Sequence, residues 1–389
     1  MTKPAILGGI PENKTIFPPY NTIGEEEKSA VMAVLDSGEL SGFVAGDTPA
    51  FYGGKQVQAL EKEFCKMFNT KYAVSVNSAT SGIYCMLMAM GIGPGDEVIT
   101  TPYTWIITVN AIAATGAKPV FVDVREDFNI DPNKVEEKIR SKTKAIVPVH
   151  VAGHLCQMSD LERLARRRGL HIVEDAAQAI CGSLGSRRAG SFSTAAAFSM
   201  NPMKVLHGYG EAGVVTTNSE RLYRRLKKLR HAGTRRDPTG RHFNQCDFIS
   251  LNHKIDTLQA AFLLENLDRL EFIWQKREKI AKRYDALLSG VVELQQLHPD
   301  EVHGRYLYLI RCKKRDWLRK TLAQKGVETK IVYSPLTCDA TPYKHGRRLS
   351  MPVSRKLLKQ SLSLPLHEKM SLAQAEFVAN TIIKFFAKG

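Results

Sequence analysis

The sequence predicts an α/β protein in which a large mixed-sheet domain, with helices on both faces, is followed by a smaller α+β C-terminal domain. Between residues 72 and 174, short apolar runs alternate with amphipathic segments, and this β-α-β-α succession is typical of a parallel or mixed sheet covered by helices. From about Asn252 the pattern changes to long helical segments. The chain of 389 residues is long enough for two domains, which we expect at residues 1–245 and 246–389.

The predicted strands of the first half are short apolar runs bounded by polar or glycine-containing links. They are expected at residues 72–76, 96–100, 118–123, 144–149 and 170–174. Helices are expected between them at residues 81–90, 105–114, 132–138 and 159–168. Asp131 is predicted to cap the third of these helices, with Pro132 in its first turn, and Ser159 to cap the fourth.

The C-terminal part combines long helices with isolated strands. Helices are expected at residues 255–270, 272–288, 316–325 and 370–388, and strands at residues 306–312 and 326–332. The segment 234–246 contains glycine, proline, arginine and histidine without periodicity, which predicts a mobile loop.

The composition is that of an ordinary globular protein, with 43% hydrophobic and 24% charged residues. No apolar run approaches the roughly 20 residues of a membrane helix, and the N-terminus lacks the apolar region of a signal peptide. The 7 cysteines are scattered and form no Cys-x-x-Cys pair. This usage favours reduced thiols in the cytoplasm and argues against a zinc site, so we expect no metal and no membrane partner.

The net charge of +16 leaves two interpretations of the surface. Basic clusters at residues 163–168, 224–228 and 235–236 could bind a nucleic acid, or they could form a solvated surface that attracts small anions. The sequence contains no helix-turn-helix, RNP or zinc-finger pattern. We therefore do not expect a nucleic-acid partner.

A carboxylate and a lysine lie in segments that suit a buried cofactor site. Asp175 follows the predicted strand 170–174, and Lys204 lies between the run 198–203 and the glycine-rich stretch 208–213. Pyridoxal phosphate needs such a pair, because a carboxylate keeps its pyridine nitrogen protonated and a lysine forms a Schiff base with its aldehyde. A lone lysine is usually a solvated surface charge, and an aspartate here also fits a helix cap. The two segments together favour the cofactor site.

These segments resemble the DegT/DnrJ/EryC1/StrS family of sugar aminotransferases. The family pattern E-D-A-A-Q/H-A matches residues 174–179, and its lysine segment followed by G-E-G-G corresponds to residues 198–213, with Ala212 in place of one glycine. Further matches lie at residues 76–80, 93–98, 148–150 and 363–367, so the resemblance covers nearly the whole chain. It implies the type I aminotransferase fold, pyridoxal 5'-phosphate as cofactor, and a homodimer with an active site shared between the subunits.

The resemblance also implies roles for individual residues. Lys204 and Asp175 would be catalytic, Gln178 would bond the ring hydroxyl, Trp105 would stack on the ring, and Asn252 would reach the phosphate of the neighbouring subunit. The remaining phosphate-binding residues would be Ser78, Ala79, Thr80 and Ser199. Structural alternatives stay open: Ser78 also fits a helix cap, Trp105 a core residue, and Glu211 either a loop-orienting or a substrate-binding residue.

The chain also departs from the family pattern at three other places. Ala79 stands where the family usually has glycine, and Lys254 where it has arginine. The segment 326–337 lacks both histidines of the family pattern G-I-x-x-x-x-H-Y-x-P-L-H. That segment lies near the substrate in the family, so the identity of the substrate is the property that these differences affect.

The resemblance implies transfer of an amino group from an amino acid, most simply L-glutamate, to a nucleotide-linked keto-sugar. The product would enter a surface polysaccharide or a glycosylated metabolite. The positive surface would speed the capture of a pyrophosphate-bearing sugar. A carbocyclic ketone, such as a keto-inositol or an aminohydroxybenzoate-type precursor, is the alternative acceptor. A regulator that binds pyridoxal phosphate without turnover is a third hypothesis.

Overall fold

A central mixed sheet organises the computed structural model, which describes residues 22–43, 49–237, 239, 244–344 and 349–387. The strands up to residue 217 are β1 (Tyr72–Val76), β2 (Glu97–Thr100), β3 (Lys118–Phe121), β4 (Thr143–Val147), β5 (His171–Asp175), β6 (Ser183–Leu184), β7 (Arg187–Arg188), β8 (Ala195–Ser199) and β9 (Gly213–Thr217). All except β6 and β7 form a 7-stranded sheet in the order β1-β9-β8-β5-β4-β2-β3.

Strand direction brings several carboxyl ends to one edge of this sheet. Strands β2, β3, β4, β5 and β8 are mutually parallel, and β9 runs antiparallel to both β8 and β1. Strand β1 therefore runs in the same direction as β5 and β8. Ligands of such sheets bind beyond the carboxyl ends, so this edge is the place to look for a site.

Helices cover both faces of the sheet. They are α1 (Glu25–Ser37), α2 (Lys55–Phe68), α3 (Ala79–Ala89), α4 (Ile106–Ala114), α5 (Pro132–Lys138), α6 (Met158–Arg168) and α7 (Glu220–Arg230). Successive strand residues alternate between two buried apolar clusters: Val98 packs in one and Ile99 in the other, as do Ala145 and Ile146. Strands buried on both faces are typical of parallel sheets between helix layers.

The C-terminal part has its own sheet and apolar cluster. Its elements are α8 (Thr257–Asp268), α9 (Leu270–Leu288), β10 (Glu293–Leu294), β11 (Glu301–Val302), β12 (Tyr308–Arg311), α10 (Arg315–Gln324), α11 (Pro352–Gln360), β13 (Ser361–Leu364) and α12 (Leu372–Ala387). Strands β10, β12 and β13 form one sheet, and β11 pairs with β6. Helix α8 packs against α1 and α2. The division at residues 245 and 246 stays a prediction.

Most predicted elements are present with ends shifted by one or two residues. Asp131 caps α5 as predicted, because its Oδ1 accepts a hydrogen bond from the Asn133 amide at 2.9 Å. The prediction of Ser159 as a cap is wrong. Helix α6 begins at the fully buried Met158, which follows Gln157 at the N-cap position, so Ser159 lies inside the first turn.

The predicted strand at residues 326–332 is also wrong. Only an isolated bridge forms there, between Lys330 and Ser363, whose main chains exchange hydrogen bonds of 3.2 and 2.8 Å. The segment begins by closing the end of α10, where the Val327 amide bonds to the Leu322 carbonyl, and this leaves no length for a ladder.

Two further predictions fall partly outside the described residues. Of the predicted loop 234–246, residues 238 and 240–243 are not described, and its ends are joined by a bridge between Thr234 and Cys246. The segment considered for a signal peptide lies within residues 1–21, which are likewise not described. Within the described ranges, no helix has both the length and the apolar character needed to span a membrane.

Candidate active site

Three sequence-predicted residues meet at the carboxyl edge of the central sheet. Asp175 is the last residue of β5, Ser199 is the last residue of β8, and Ser78 follows β1 at the start of α3. Thr80 also follows the end of β1 and lies in the first turn of α3. Because β1, β5 and β8 run in one direction, their ends place these side chains around a common space.

Asp175 is a buried carboxylate held in a defined orientation. Its Oδ2 accepts a hydrogen bond from Thr108 Oγ1 at 2.8 Å, and its Oδ1 accepts one from the Ala177 amide at 3.1 Å. Burial raises the pKa of the Asp175 carboxyl, while these bonds and the charges of Lys204 and His150 oppose the rise. A cation beside the carboxylate would favour its ionised form. The protonated pyridine nitrogen of the expected cofactor is such a cation, so the residue fits that group.

Lys204 projects from a tight turn beyond β8. Its amide donates to the Asn201 carbonyl at 2.9 Å, and the Gly208 amide donates to the Met200 carbonyl at 2.8 Å. Its side chain is half-buried, and its Nζ lies 4.2 Å from the centre of the Tyr306 ring. Its charge acts on Asp175. The structure thus brings the two predicted catalytic residues together.

Helix α8 supports the loop that carries the lysine. The Tyr209 amide donates to Gln259 Oε1 at 2.9 Å, and Asn266 Nδ2 donates to the His207 carbonyl at 2.7 Å. Both α8 side chains bond main-chain groups, so the path of the loop depends on side chains that are distant in sequence.

The start of α3 offers a site for the phosphate. Ser78 is the N-cap, and its Oγ accepts a hydrogen bond from the Ser81 amide at 3.1 Å. The amides of Ala79 and Thr80 belong to the first helical turn, whose N–H groups have no partner within the helix. Such a helix start binds phosphate through these groups and the helix dipole. Gly213 of β9 allows the close approach, because a Cβ there would lie 2.5 Å from the Ser78 carbonyl carbon.

Ser199 and Glu211 border the lysine turn. Ser199 Oγ accepts a long hydrogen bond of 3.4 Å from the Asn201 amide. Glu211 Oε1 accepts one of 2.7 Å from Asn201 Nδ2. The second bond favours the loop-orienting interpretation of Glu211 over a role in substrate binding.

Gln178 is oriented by a backbone turn. Its Oε1 accepts a hydrogen bond from the Ala152 amide at 2.8 Å, which leaves its amino group to donate elsewhere. Ala152 has a φ of 63°, an uncommon value for a residue other than glycine. His150 immediately precedes this turn, and its Nε2 forms a hydrogen bond of 2.9 Å with the buried Glu174. The turn fixes the direction of the Gln178 side chain.

Aromatic residues form one wall of the site. Trp105 precedes α4 and its side chain is exposed (57%), so the interpretation of Trp105 as a core residue is wrong for this chain. Its ring centre lies 6.4 Å from that of Tyr333, which lies 6.3 Å from that of Tyr103. Burial, together with the nearby Tyr306 and Asp175, raises the pKa of the Tyr333 hydroxyl well above its usual value, and a hydrogen bond with Gln178 opposes this rise. Tyr333 therefore stays a neutral hydroxyl at physiological pH.

Asn252 lies beside the start of α3 of its own chain. Its carbonyl accepts a hydrogen bond from Asn77 Nδ2 at 3.2 Å, and the next carbonyl, that of His253, accepts one from the Asn77 amide at 2.9 Å. Its side chain is exposed, and its Oδ1 accepts from the Lys254 amide at 3.3 Å. The segment is thus fixed to the phosphate end of the site, with the amide group of Asn252 facing outward.

Sequence reasoning missed several residues that border the site, namely Thr108, Ala152, Tyr306 and Tyr333. Only Thr108 carried a usable signal, because it lies three residues after Trp105 on a predicted helix and therefore on the same face. Tyr306 and Tyr333 come from the C-terminal part, and nothing in their local sequence shows that they meet Lys204 and Trp105.

A second cluster of titratable groups lies near β11. Ligand atoms of His154, His298 and Glu301 lie within 4.8 Å of one another, the arrangement closest to a metal site in the described ranges. Glu301 already bonds His154 Nδ1 at 2.8 Å and the Leu155 amide at 2.9 Å. Burial lowers the pKa of His154, but the nearby Asp127 carboxylate and the hydrogen-bonded Glu301 carboxylate outweigh burial and raise it to about 9. The cluster is therefore a buried ion pair around an imidazolium.

Comparison with known proteins gives a consistent result. The profile of the DegT/DnrJ/EryC1/StrS aminotransferase family matches residues 21–383. The chain is 36% identical over 374 residues to a pleiotropic regulatory protein of Geobacillus stearothermophilus, covering 93% of this chain and 96% of the relative. It is 35% identical over 369 residues to dTDP-3-amino-3,4,6-trideoxy-alpha-D-glucose transaminase of Streptomyces venezuelae, covering 93% of each chain.

The fold agrees with a solved structure of the same kind. S. venezuelae DesV, in complex with a ketimine intermediate, superposes with a TM-score of 0.86 at 34% identity, covering 93% of this chain and 94% of DesV. The predicted type I aminotransferase fold is confirmed. Matching solved structures include PLP and PMP forms, and pyridoxal phosphate is the cofactor of the family.

Proposed function

Because the chain belongs to the DegT/DnrJ/EryC1/StrS aminotransferase family, we propose that it moves an amino group from L-glutamate to a nucleotide-linked keto-sugar. The observation that supports this most directly is the meeting of Lys204, the buried Asp175 and the start of α3 at one edge of the sheet. The related transaminase of S. venezuelae is named for a dTDP-linked amino sugar, which supports the acceptor class.

Each residue of the site has its own expected role in the reaction. When bound, pyridoxal phosphate supplies the electron sink that stabilises negative charge on the reacting carbon. Asp175 would hold a proton on the ring nitrogen, and the Lys204 amine would move the proton at the α-carbon of the amino donor. Gln178 would bond the ring hydroxyl, and Trp105 would cover the ring face and exclude water. Ser78, Ala79, Thr80 and Ser199 would bind the phosphate.

We further propose a homodimer in which Asn252 contributes to the site of the neighbouring subunit. The outward-facing side chain of Asn252 supports this, together with the exposed apolar side chains of Ile249 and Leu251 beside it. Exposed apolar groups next to a site are typical of a surface that a partner covers. The large domain would span residues 1–245 and the small domain residues 246–389.

The first test is the visible absorbance of the purified protein before and after addition of L-glutamate. We expect a cofactor band that shifts on addition, with release of 2-oxoglutarate. Lys204→Ala is expected to lose at least ~10²-fold in turnover, as for loss of a general base. A protein that shows no band after incubation with pyridoxal phosphate, or a Lys204→Ala variant that turns over at the wild-type rate, would contradict the proposal.

The acceptor is tested by competition with nucleoside diphosphates. We expect dTDP or UDP to inhibit the second half-reaction, because a nucleotide-linked sugar must be held partly through its diphosphate. A carbocyclic ketone carries no nucleotide. Absence of inhibition, with turnover of a keto-inositol, would favour the carbocyclic alternative.

The regulator hypothesis has one specific observation in its favour, the net charge of +16, and one relative is named a pleiotropic regulatory protein. A regulator without turnover would be retained on DNA in a salt-dependent manner and would leave the absorbance unchanged by L-glutamate. We expect the opposite result in both measurements.

A further inference from the structure

The ammonium of Lys204 lies over the face of an aromatic ring. Its Nζ is 4.2 Å from the centre of the Tyr306 ring, well inside the ~6 Å within which a cation is attracted by the ring quadrupole. The Lys204 side chain is half-buried, and partial loss of water strengthens such a contact. The aromatic face therefore stabilises the charged form of the amine.

The main chain on both sides of Tyr306 is bonded to the turn that orients Gln178. The Leu307 amide donates to the Ala152 carbonyl at 3.2 Å, and the Gly304 amide donates to the Gly153 carbonyl at 2.8 Å. Tyr306 is thus bracketed by two main-chain bonds, while the Ala152 amide bonds Gln178. These bonds fix the main chain that carries the Tyr306 ring relative to the turn at Ala152.

Asp175 is the group that must hold the ring nitrogen of the cofactor, and its carboxyl accepts hydrogen bonds from Thr108 Oγ1 and the Ala177 amide. The face of the Tyr306 ring is a second group of the site that attracts the lysine ammonium.

We propose that Tyr306 is a positioning residue that holds the ammonium of Lys204 against its ring whenever the amine is not bonded to the cofactor. The role rests on the proposed function of Lys204. It gives the amine of Lys204 a defined position over the ring, in the cofactor-free protein and in the half of the cycle in which the cofactor carries the amino group. The lysine over the ring is then favoured relative to the lysine bonded to the cofactor.

The test uses cofactor-free protein and three variants. Tyr306→Phe keeps the ring face, Tyr306→Leu removes it, and Tyr306→Met removes it while filling more of the volume. Each is labelled with sulfo-N-hydroxysuccinimidyl acetate at neutral pH, and acetylation of Lys204 is followed by mass spectrometry. Thermal unfolding shows which variants are folded.

We expect Lys204 to be acetylated roughly 2- to 30-fold faster in the Leu and Met variants than in wild type at neutral pH, because the ring no longer holds the ammonium. Tyr306→Phe should match wild type, because it keeps the ring face. Equal acetylation rates in wild type and in the folded Leu and Met variants would overturn the proposal.

The affinity for added pyridoxal phosphate, followed by the visible band, gives an independent readout. Loss of the competing position over the ring should strengthen binding in the Leu and Met variants, whereas general damage to the site would weaken it. Weaker binding in both variants would contradict the proposal. Because acetylation is measured without cofactor, its result stands even if wild-type protein forms no band, an outcome that would count against the proposed function alone.

Discussion

Gly213 shows how one residue without a side chain sets the spacing at the phosphate end of the site. It begins β9, and a Cβ at this position would lie 2.5 Å from the Ser78 carbonyl carbon and 2.6 Å from the Ala79 nitrogen. Both neighbours are backbone atoms, which cannot rotate away. The strand and the helix start therefore approach each other only because residue 213 is glycine.

Gly213→Ala is expected to weaken cofactor binding and to lower the free energy of unfolding by about 1–3 kcal/mol, because the added methyl group overpacks a backbone contact. Gly93→Ala is the matched control, since a Cβ there would meet only the Thr115 carbonyl oxygen at 3.5 Å. Cofactor affinity and thermal unfolding measure the two effects. Equal behaviour of the two variants would show that the close approach is not needed.

Asp175→Asn tests the charge of the buried carboxylate while keeping its shape. The amide oxygen can accept the hydrogen bond from the Ala177 amide, and the amino group can donate to Thr108 Oγ1, but the side chain cannot favour a protonated ring nitrogen. We expect turnover to fall by roughly 10²- to 10⁴-fold, the range for loss of a group that manages a proton, with little change in thermal stability. Retention of wild-type turnover would show that the carboxylate has only a structural role.

At the scale of elements, the buried side chain of His154 links the segment that precedes α6 to Glu301 of β11. His154 bonds Glu301 of β11, and its Nε2 lies 3.9 Å from Asp127 Oδ2. Burial raises the pKa values of both carboxyls, but the nearby His154 and the backbone hydrogen bonds that they accept outweigh burial and lower both pKa values. His298 and His303 stack near the same ring. The pKa of His154 is raised to about 9 from an ordinary 6.5, so the folded state binds its proton more tightly than the unfolded state.

The proton on His154 therefore adds to the free energy of unfolding. This contribution is fully present below pH 6.5 and is lost as pH rises from 6.5 to about 9. We expect His154→Gln to lower the free energy of unfolding at pH 6 by about 3 kcal/mol relative to wild type, with the difference shrinking toward pH 9. Urea unfolding at pH 6, 7.5 and 9 measures it. A difference that is constant with pH would mean that His154 is neutral in the folded protein.

The elements differ in how far they could be predicted from the sequence. Strand β5 and its terminal Asp175 were predictable, because a buried strand ends where its apolar run ends. The strand expected at residues 326–332 could not be excluded from the sequence. Val327 closes the end of α10, and only Lys330 forms a bridge, with Ser363, and both contacts are set by distant packing. Tyr306 was expected only as the start of a strand, since its meeting with Lys204 depends on how distant segments pack.

At the scale of the whole molecule, the proposed shared site predicts complementation between inactive subunits. If Asn252 serves the neighbouring site, a hybrid dimer of Lys204→Ala and Asn252→Ala subunits has one site with both defects and one intact site. Random mixing in equal amounts then makes about a quarter of all sites intact. We expect turnover to recover to that level when the two variants are refolded or coexpressed together.

A mixture of Lys204→Ala and Asp175→Asn subunits is the control. Both side chains belong to the same subunit's site, so no hybrid has an intact site and no recovery is expected. Recovery in neither mixture would place Asn252 in the site of its own chain, where its main chain contacts Asn77.

The order of strands in the central sheet has a consequence during synthesis. Among the described strands, β1 lies at the edge and pairs only with β9, in a register that joins Tyr72 to Thr217. A ribosome needs on the order of 10 s to make the intervening chain. Until then both edges of this apolar strand are unpaired, which favours pairing with other nascent chains. The helix start that follows β1 therefore takes its final place late, and a chaperone that shields the strand during this time would favour the yield of active protein.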